Sequence, residues 1–273
     1  MEQSVSGRIG TVLTATANYR LITQNMPRTL ETTATRPDVA RQTQNYLEKI
    51  GDVKSIDDFL NDYQLFSYAM KAHGLEDMTY AKAFMRKVLE EGIDKQDSFA
   101  NSLSDKRYRE FAETFNFASF DRATTSFDRA QQGTVDKYLR QTVEEDAGAQ
   151  DEGVRLALYF ERRAPKIETT LQLLADPALL KVMQTVLGFS EATGALDIDK
   201  QVAMIEKRFD VADLKDPEKL DKLLGRFTAL WEAQRDPGLS IGNASAFLIG
   251  GGITFGIGSD LLASIQNLRL GGR

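Results

Sequence analysis

An internally duplicated, all-α fold is what this chain of 273 residues encodes, on three grounds. Apolar residues recur at three-and-four spacing along most of the length, the signature of helices with one buried face. Helix starts and stops are marked by residue type: Ser55, Asp176-Pro177 and Asp216-Pro217 at starts, Gly74, Gly92 and Gly188 at ends. The order helix, glycine stop, helix, polar turn, helix occurs twice.

The first forty residues are rich in threonine and poor in acids and lysine. Val5, Ile9, Val12 and Leu13 fall at helical spacing, but Thr11, Thr14, Thr16, Thr23, Thr32, Thr33 and Thr35 weaken a helix. Residues 1–40 therefore read as a mobile or partner-dependent arm. Pro37 fits the first turn of the next helix, where its missing N–H costs nothing.

Ser55-Ile56-Asp57-Asp58 fits a capping box. The helix after it places Phe59, Tyr63, Phe66 and Met70 on one face and ends at His73-Gly74. A second helix, from about Thr79 to Glu91, buries Phe84, Val88 and Leu89, and a third, from about Asp105 to Phe115, stacks Phe111 on Phe115. The spacing of Phe120, Ala123, Phe127 and Ala130 predicts a long helix over Asp121 to Glu145. Glu144 to Gly153 is acidic and small, the best candidate for a hinge. Val154 to Ala175 reads as helix again, kinked or broken at Pro165.

The repeat aligns the run Leu65 to Leu75 with Leu179 to Phe189, and the run Ala83 to Leu89 with Ala203 to Phe209. Phe111 and Phe115 match Phe227 and Trp231. The units are then 1–40 as arm, 41–146 as first repeat and long helix, 147–238 as second repeat, and 239–273 as a glycine-rich segment with a terminal helix. Phe247 to Phe255, with its central glycines, is a candidate short hairpin, and Leu261, Leu262, Ile265 and Leu268 stripe the last helix. The predicted core is Phe66, Met70, Phe84, Val88, Phe111, Phe115, Met183, Ile205, Phe209, Phe227 and Trp231.

Hydrophobic residues make up 42% and charged residues 27% of the chain, ordinary values for a globular protein. The net charge of -6 argues against a nucleic-acid partner, which needs a basic face. With no cysteine there are no disulfides and no thiolate ligands or nucleophiles. No run approaches the ~20 apolar residues of a membrane helix, and no signal peptide is evident, so the expected place is the cytoplasm without membrane insertion.

No catalytic constellation stands out. His73 is the single imidazole, beside a glycine stop, and reads as a surface or half-buried side chain. Gly250 to Gly258 has the glycines of a phosphate cradle but no lysine. Glu144, Glu145, Asp146, Asp151 and Glu152 cluster, but in the candidate hinge. No cofactor and no metal is expected.

The run DYQLFSYAMKAHGLEDMTYAKAFMRKVLEEG at Asp62 to Gly92 resembles a family of uncharacterised alphaproteobacterial proteins often encoded near flagellar genes. VKSIDDFLN, ALYFERRAP and DLLASIQNL extend the resemblance over most of the chain. It implies a link to flagellum assembly or structure and carries no catalytic residues. The expected function is a non-enzymatic protein–protein interaction component associated with flagellum assembly or structure, in one reading an exported or structural part of it. The alternatives are a cytoplasmic assembly helper or chaperone binding a partner helix in a groove, and an enzyme with an unrecognised site. The expected partner is another protein, a flagellar component; the oligomeric state is left open. The two end stripes, Val5, Ile9 and Val12 with Leu262, Ile265 and Leu268, are the candidate interface, with packing inside the chain as the plain alternative.

Overall fold

The computed structural model describes residues 13–235. The end stripes and the candidate hairpin lie outside them. Among the described residues every regular element is helical, α or 3-10. They divide into two compact units, residues 21–155 and residues 13–20 with 156–235.

The chain begins with α1 (Ala15–Gln24) and α2 (Met26–Ala34). This is a correction: from residue 15 the threonine-rich stretch is helical where composition predicts a mobile arm. The threonines bond back to their own helix, Thr29 Oγ1 donating to Asn25 O and Thr32 Oγ1 to Arg28 O. Packing of α2 against a later helix supplies what propensity lacks.

Next come α3 (Pro37–Ile50), α4 (Ile56–Asn61) and α5 (Tyr63–Ala72). Pro37 opens α3 as expected. Ser55 accepts from Asp58 N at 3.0 Å, but Asp58 returns its bond to Lys54 N at 3.2 Å, one residue upstream of the usual box. A second correction follows. The single helix read over this stretch is two, because Asp62 takes an extended backbone and caps α5 by accepting from Leu65 N. The break turns Tyr63 out to solvent, away from Phe59 and Phe66. At the far end Leu75 N donates to Met70 O and Gly74 N to Lys71 O, a Schellman stop that needs the left-handed Gly74 (φ 68).

Then follow α6 (Lys82–Glu91), α7 (Phe99–Ser102), α8 (Lys106–Thr114), α9 (Phe117–Phe120) and α10 (Gln132–Gln150). A third correction concerns α9 and α10. The helix read over Asp121 to Glu145 starts only at Gln132; two 3-10 turns, Asp121–Ser126 and Asp128–Ala130, precede it. Two phenylalanines seven residues apart mimic a helical stripe, but Thr124, Thr125 and Ser126 favour turns. The hinge read at Glu144 to Gly153 is helical through Gln150, with Glu144 buried and paired to Arg140.

The last elements are α11 (Glu152–Arg163), α12 (Thr170–Ala175), α13 (Pro177–Leu187), α14 (Ile198–Glu206) and α15 (Pro217–Arg235). A 3-10 turn at Ala164–Lys166 marks the break at Pro165. Asp176 and Asp216 each accept two early N–H groups behind a first-turn proline.

The duplication is visible position by position. Thr169, Asp176 and Gly188 each stand 114 positions after Ser55, Asp62 and Gly74 (169 minus 55, 176 minus 62, 188 minus 74). Thr169 accepts from Gln172 N as Ser55 does from Asp58 N, and Gln172 Oε1 accepts from Glu168 N as Asp58 does from Lys54 N. Phe189 N donates to Gln184 O behind Gly188 (φ 67), repeating the stop behind Gly74. Thus α4 and α5 recur as α12 and α13.

Unit 21–155 is centred on rings. Phe59 lies 4.7 Å from Phe115, 5.8 Å from Phe66, and 6.1 Å from both Phe111 and Phe117. Beside them Tyr46 stacks on Tyr68 at 4.4 Å and Tyr68 on Tyr138 at 3.9 Å. Of the predicted core, Phe84 and Trp231 are half-buried and the other residues are buried.

Candidate interaction surface

Between α8 and α10 the chain makes a turn that presents two aromatic rings to solvent. Its base is tied down from several sides. Phe117 packs on Phe59, and Asn116, buried, caps α9 by accepting from Ser119 N at 3.1 Å. The Ser119 hydroxyl donates to Asp94 Oδ2 at 2.5 Å. Gly92 closes α6 so near α9 that an added Cβ would lie 2.7 Å from Ala118 Cβ. Thr124 and Thr125 are fully buried; Thr125 Oγ1 donates to Val53 O at 3.0 Å, and Gln131 Nε2 donates to Thr125 O at 3.1 Å. From beneath, Tyr46 donates its hydroxyl to Ala130 O at 2.5 Å.

On this base Asp121 has φ 48, the one positive-φ residue other than glycine among the described residues. A side chain with a Cβ is disfavoured there, and such strain persists only where the surroundings over-determine it. Asp121 turns the chain so that Phe120 and Phe127, 42% and 36% exposed, meet edge to face at 5.1 Å. The Arg129 guanidinium lies 4.9 Å from one ring centroid and 4.6 Å from the other, while its Nε donates to Thr114 O. The turn is written as Phe-Asp-Arg-Ala twice, at Phe120–Ala123 and Phe127–Ala130, around Thr124-Thr125-Ser126. No ion pair among the described residues engages Asp121, Arg122, Asp128 or Arg129. A rigid knob with exposed rings and unspent charge can bind a complementary surface without first being ordered.

Sequence reasoning missed this turn because it read the phenylalanine spacing as a helix. The doubled tetrapeptide was the available signal.

The other candidates resolve into packing. His73 is 7% exposed, more buried than its sequence context predicts, and lies edge-on to Phe111 at 5.2 Å. Lys137 Nζ stands 3.4 Å from its Nε2 and donates to Thr114 Oγ1 at 2.9 Å. An ammonium can only donate, so in this contact the imidazole nitrogen accepts. The acidic cluster does not converge. Glu144 pairs with Arg140, Glu145 with Lys71, Asp146 with Arg36 and Glu152 with Arg155, while Asp151 accepts from Gly153 N. Among the described residues no three His, Asp or Glu side chains gather as a metal site requires, and no helix is long and apolar enough to cross a membrane.

Burial raises the tyrosine phenols: Tyr46 and Tyr68 lie well above the ordinary value, and Tyr138 is raised too. At Asp62 burial pushes the carboxyl up, but the Leu65 N–H and Lys49 outweigh it and the net direction is down.

Residues 72–220, which include the whole turn, match the family described as "Protein of unknown function (DUF1217)". The chain is similar to a crystal structure of protein AGR_C_984 from Agrobacterium tumefaciens, an alphaproteobacterium, at 50% identity and a TM-score of 0.76. That similarity covers 86% of this chain and 99% of the other. No curated protein matches the chain.

Proposed function

The chain belongs to the DUF1217 family, and on that premise we propose that it is a non-enzymatic component of flagellum assembly or structure that acts by binding other proteins. The observation that carries the binding part is the turn at Phe120–Ala130: a strained backbone, held from several sides, that keeps two aromatic rings exposed. Aromatic and arginine side chains are the commonest anchors of protein interfaces. The flagellar part rests on the resemblance of the Asp62 to Gly92 run and its flanking motifs to proteins often encoded beside flagellar genes.

The test is fractionation of the native bacterium with and without a working flagellar export apparatus, combined with a motility assay. The expected result is recovery outside the cytoplasm, or with the flagellar base, only when the apparatus works. Deletion of the gene, and replacement of Phe120 and Phe127 by serine, are expected to reduce swimming while the second leaves the helical content unchanged. Retention inside the cell in both strains, with swimming impaired, favours the assembly-helper reading. Unchanged swimming on deletion overturns the flagellar reading altogether.

A further inference from the structure

The same turn has a charge pattern that bears on what it meets. The chain as a whole carries a net charge of -6, so two copies repel one another at long range. The turn departs from that balance. Asp121, Arg122, Asp128 and Arg129 give it two charges of each sign, all four residues are exposed, and none is in an ion pair among the described residues. Neighbouring opposite charges in one short turn normally find each other. Here Asp121 has a positive φ and Arg129 stacks over Phe120 and Phe127, and no ion pair forms among the four.

A patch with equal numbers of both charges around a pair of exposed rings has the composition that lets it meet its own copy across a half turn with opposite charges facing. That is the requirement for an isologous contact, in which one surface meets its own copy and each charge finds the opposite charge of the partner. An acidic partner would satisfy the arginines and strand the aspartates, and a basic partner the reverse; burying either unpaired set is costly. We propose that the turn at Phe120–Ala130 is the contact surface for a second copy of this chain, joined about a two-fold axis with ring against ring and aspartate against arginine. The proposal rests on reading this turn as a contact surface, but it stands or falls on self-association, whereas the flagellar reading stands or falls on swimming and location.

Sedimentation velocity of the full chain over a wide concentration range tests it. One variant makes the turn acidic, Arg122→Asp with Arg129→Gln; glutamine keeps a donor for Thr114 O. The other makes it basic, Asp121→Asn with Asp128→Arg; asparagine is the residue after glycine that best tolerates positive φ. All substitutions are at exposed positions, and circular dichroism checks that the helices are kept. Wild type is expected to pass from monomer to dimer as concentration rises. Each variant alone is expected to dimerise at least tenfold more weakly, and an equimolar mixture of the two to recover a mixed dimer. A wild type that stays monomeric overturns the proposal. So does a dimer that either variant retains at full strength, or a mixture that fails to recover one.

Discussion

In the first copy of the repeat one buried position on the short capped helix is Phe59, and its match in the second is Leu173. At Tyr68 and His73 a ring likewise gives way to an aliphatic, Val182 and Leu187, with His73 and Leu187 at 7% and 8% exposure, while Tyr46 matches another ring, Phe160. Caps and stops, by contrast, are kept: Ser55 with Thr169, Asp62 with Asp176, Gly74 with Gly188. Side chains that punctuate the backbone cannot change without changing the path of the chain. Side chains that fill it can change whenever the volume is made up by neighbours. At these matched positions copy one carries Phe59, Tyr68 and His73 where copy two carries Leu173, Val182 and Leu187, although Phe160, Phe209 and Phe227 keep rings in the core of copy two.

The largest effect is expected from removing that filling. Phe59→Ala leaves a cavity among four rings and should cost about 4 kcal/mol, against about 3 kcal/mol for Leu173→Ala. Denaturant unfolding measures both. Equal costs would break the idea that the ring cluster organises the first copy more strongly than the aliphatics organise the second.

Alkaline unfolding sharpens the contrast next. Tyr46, Tyr68 and Tyr138 have phenol pKa values raised by burial, so the folded state keeps them neutral. Their contribution is fully present below the unfolded value of about 10 and is lost as pH rises above it, because the unfolded chain ionises first. Stability should therefore fall steeply above pH ~10. Tyr68→Phe should flatten that fall, while Val182→Phe, at the matching position of copy two, should leave its slope unchanged. Equal slopes in all three proteins would remove the tyrosines as the cause.

Smaller and more symmetric effects are expected at the shared caps. Asp62→Ala and Asp176→Ala should each cost about 1 kcal/mol, since each orphans early helix N–H groups. The Asp62 carboxyl is held below its ordinary value, so its contribution is present above the unfolded value near 4 and lost as pH falls through the lower folded one. A thermal melt series from pH 7 to pH 3 should show Asp62→Ala losing part of the acid sensitivity of the parent. The smallest effect is a gain. Asp121→Gly should stabilise by roughly 0.5–1 kcal/mol, because Gly92, with nearly the same backbone angles, already shows which residue that conformation suits. A loss instead would mean that the Asp121 side chain makes a compensating contact.

The punctuation was legible in the sequence and the long-range placement less so. Pro37, Asp176-Pro177, Asp216-Pro217, Gly74 and Gly188 act within a few residues, so residue type alone locates the ends they make. The split at Asp62 was hidden because Phe59, Phe66 and Met70 are all buried on either side of it, as one helix would bury them. At Phe120 and Phe127 the same periodicity misled, since a compact turn can also bring two rings seven residues apart into contact. What separates turn from helix there is the buried Thr125 hydroxyl bonded to Val53 O, a contact across 72 positions that no local pattern contains. The acidic run at Glu144 looked like a loop for a related reason: its neutralising partners Arg36 and Lys71 are remote in the chain.

The constant spacing between α4–α5 and α12–α13 also sets a problem during folding. A chain that holds two similarly capped helix pairs can collapse with one pair seated where the other belongs, a trap characteristic of repeated sequences. Local signals do not prevent it, because those are the parts the two copies share. The mismatch between a site filled by Phe59 and one filled by Leu173 works against it: either exchange leaves a void or an overlap, so the misassembled pair is the less stable one.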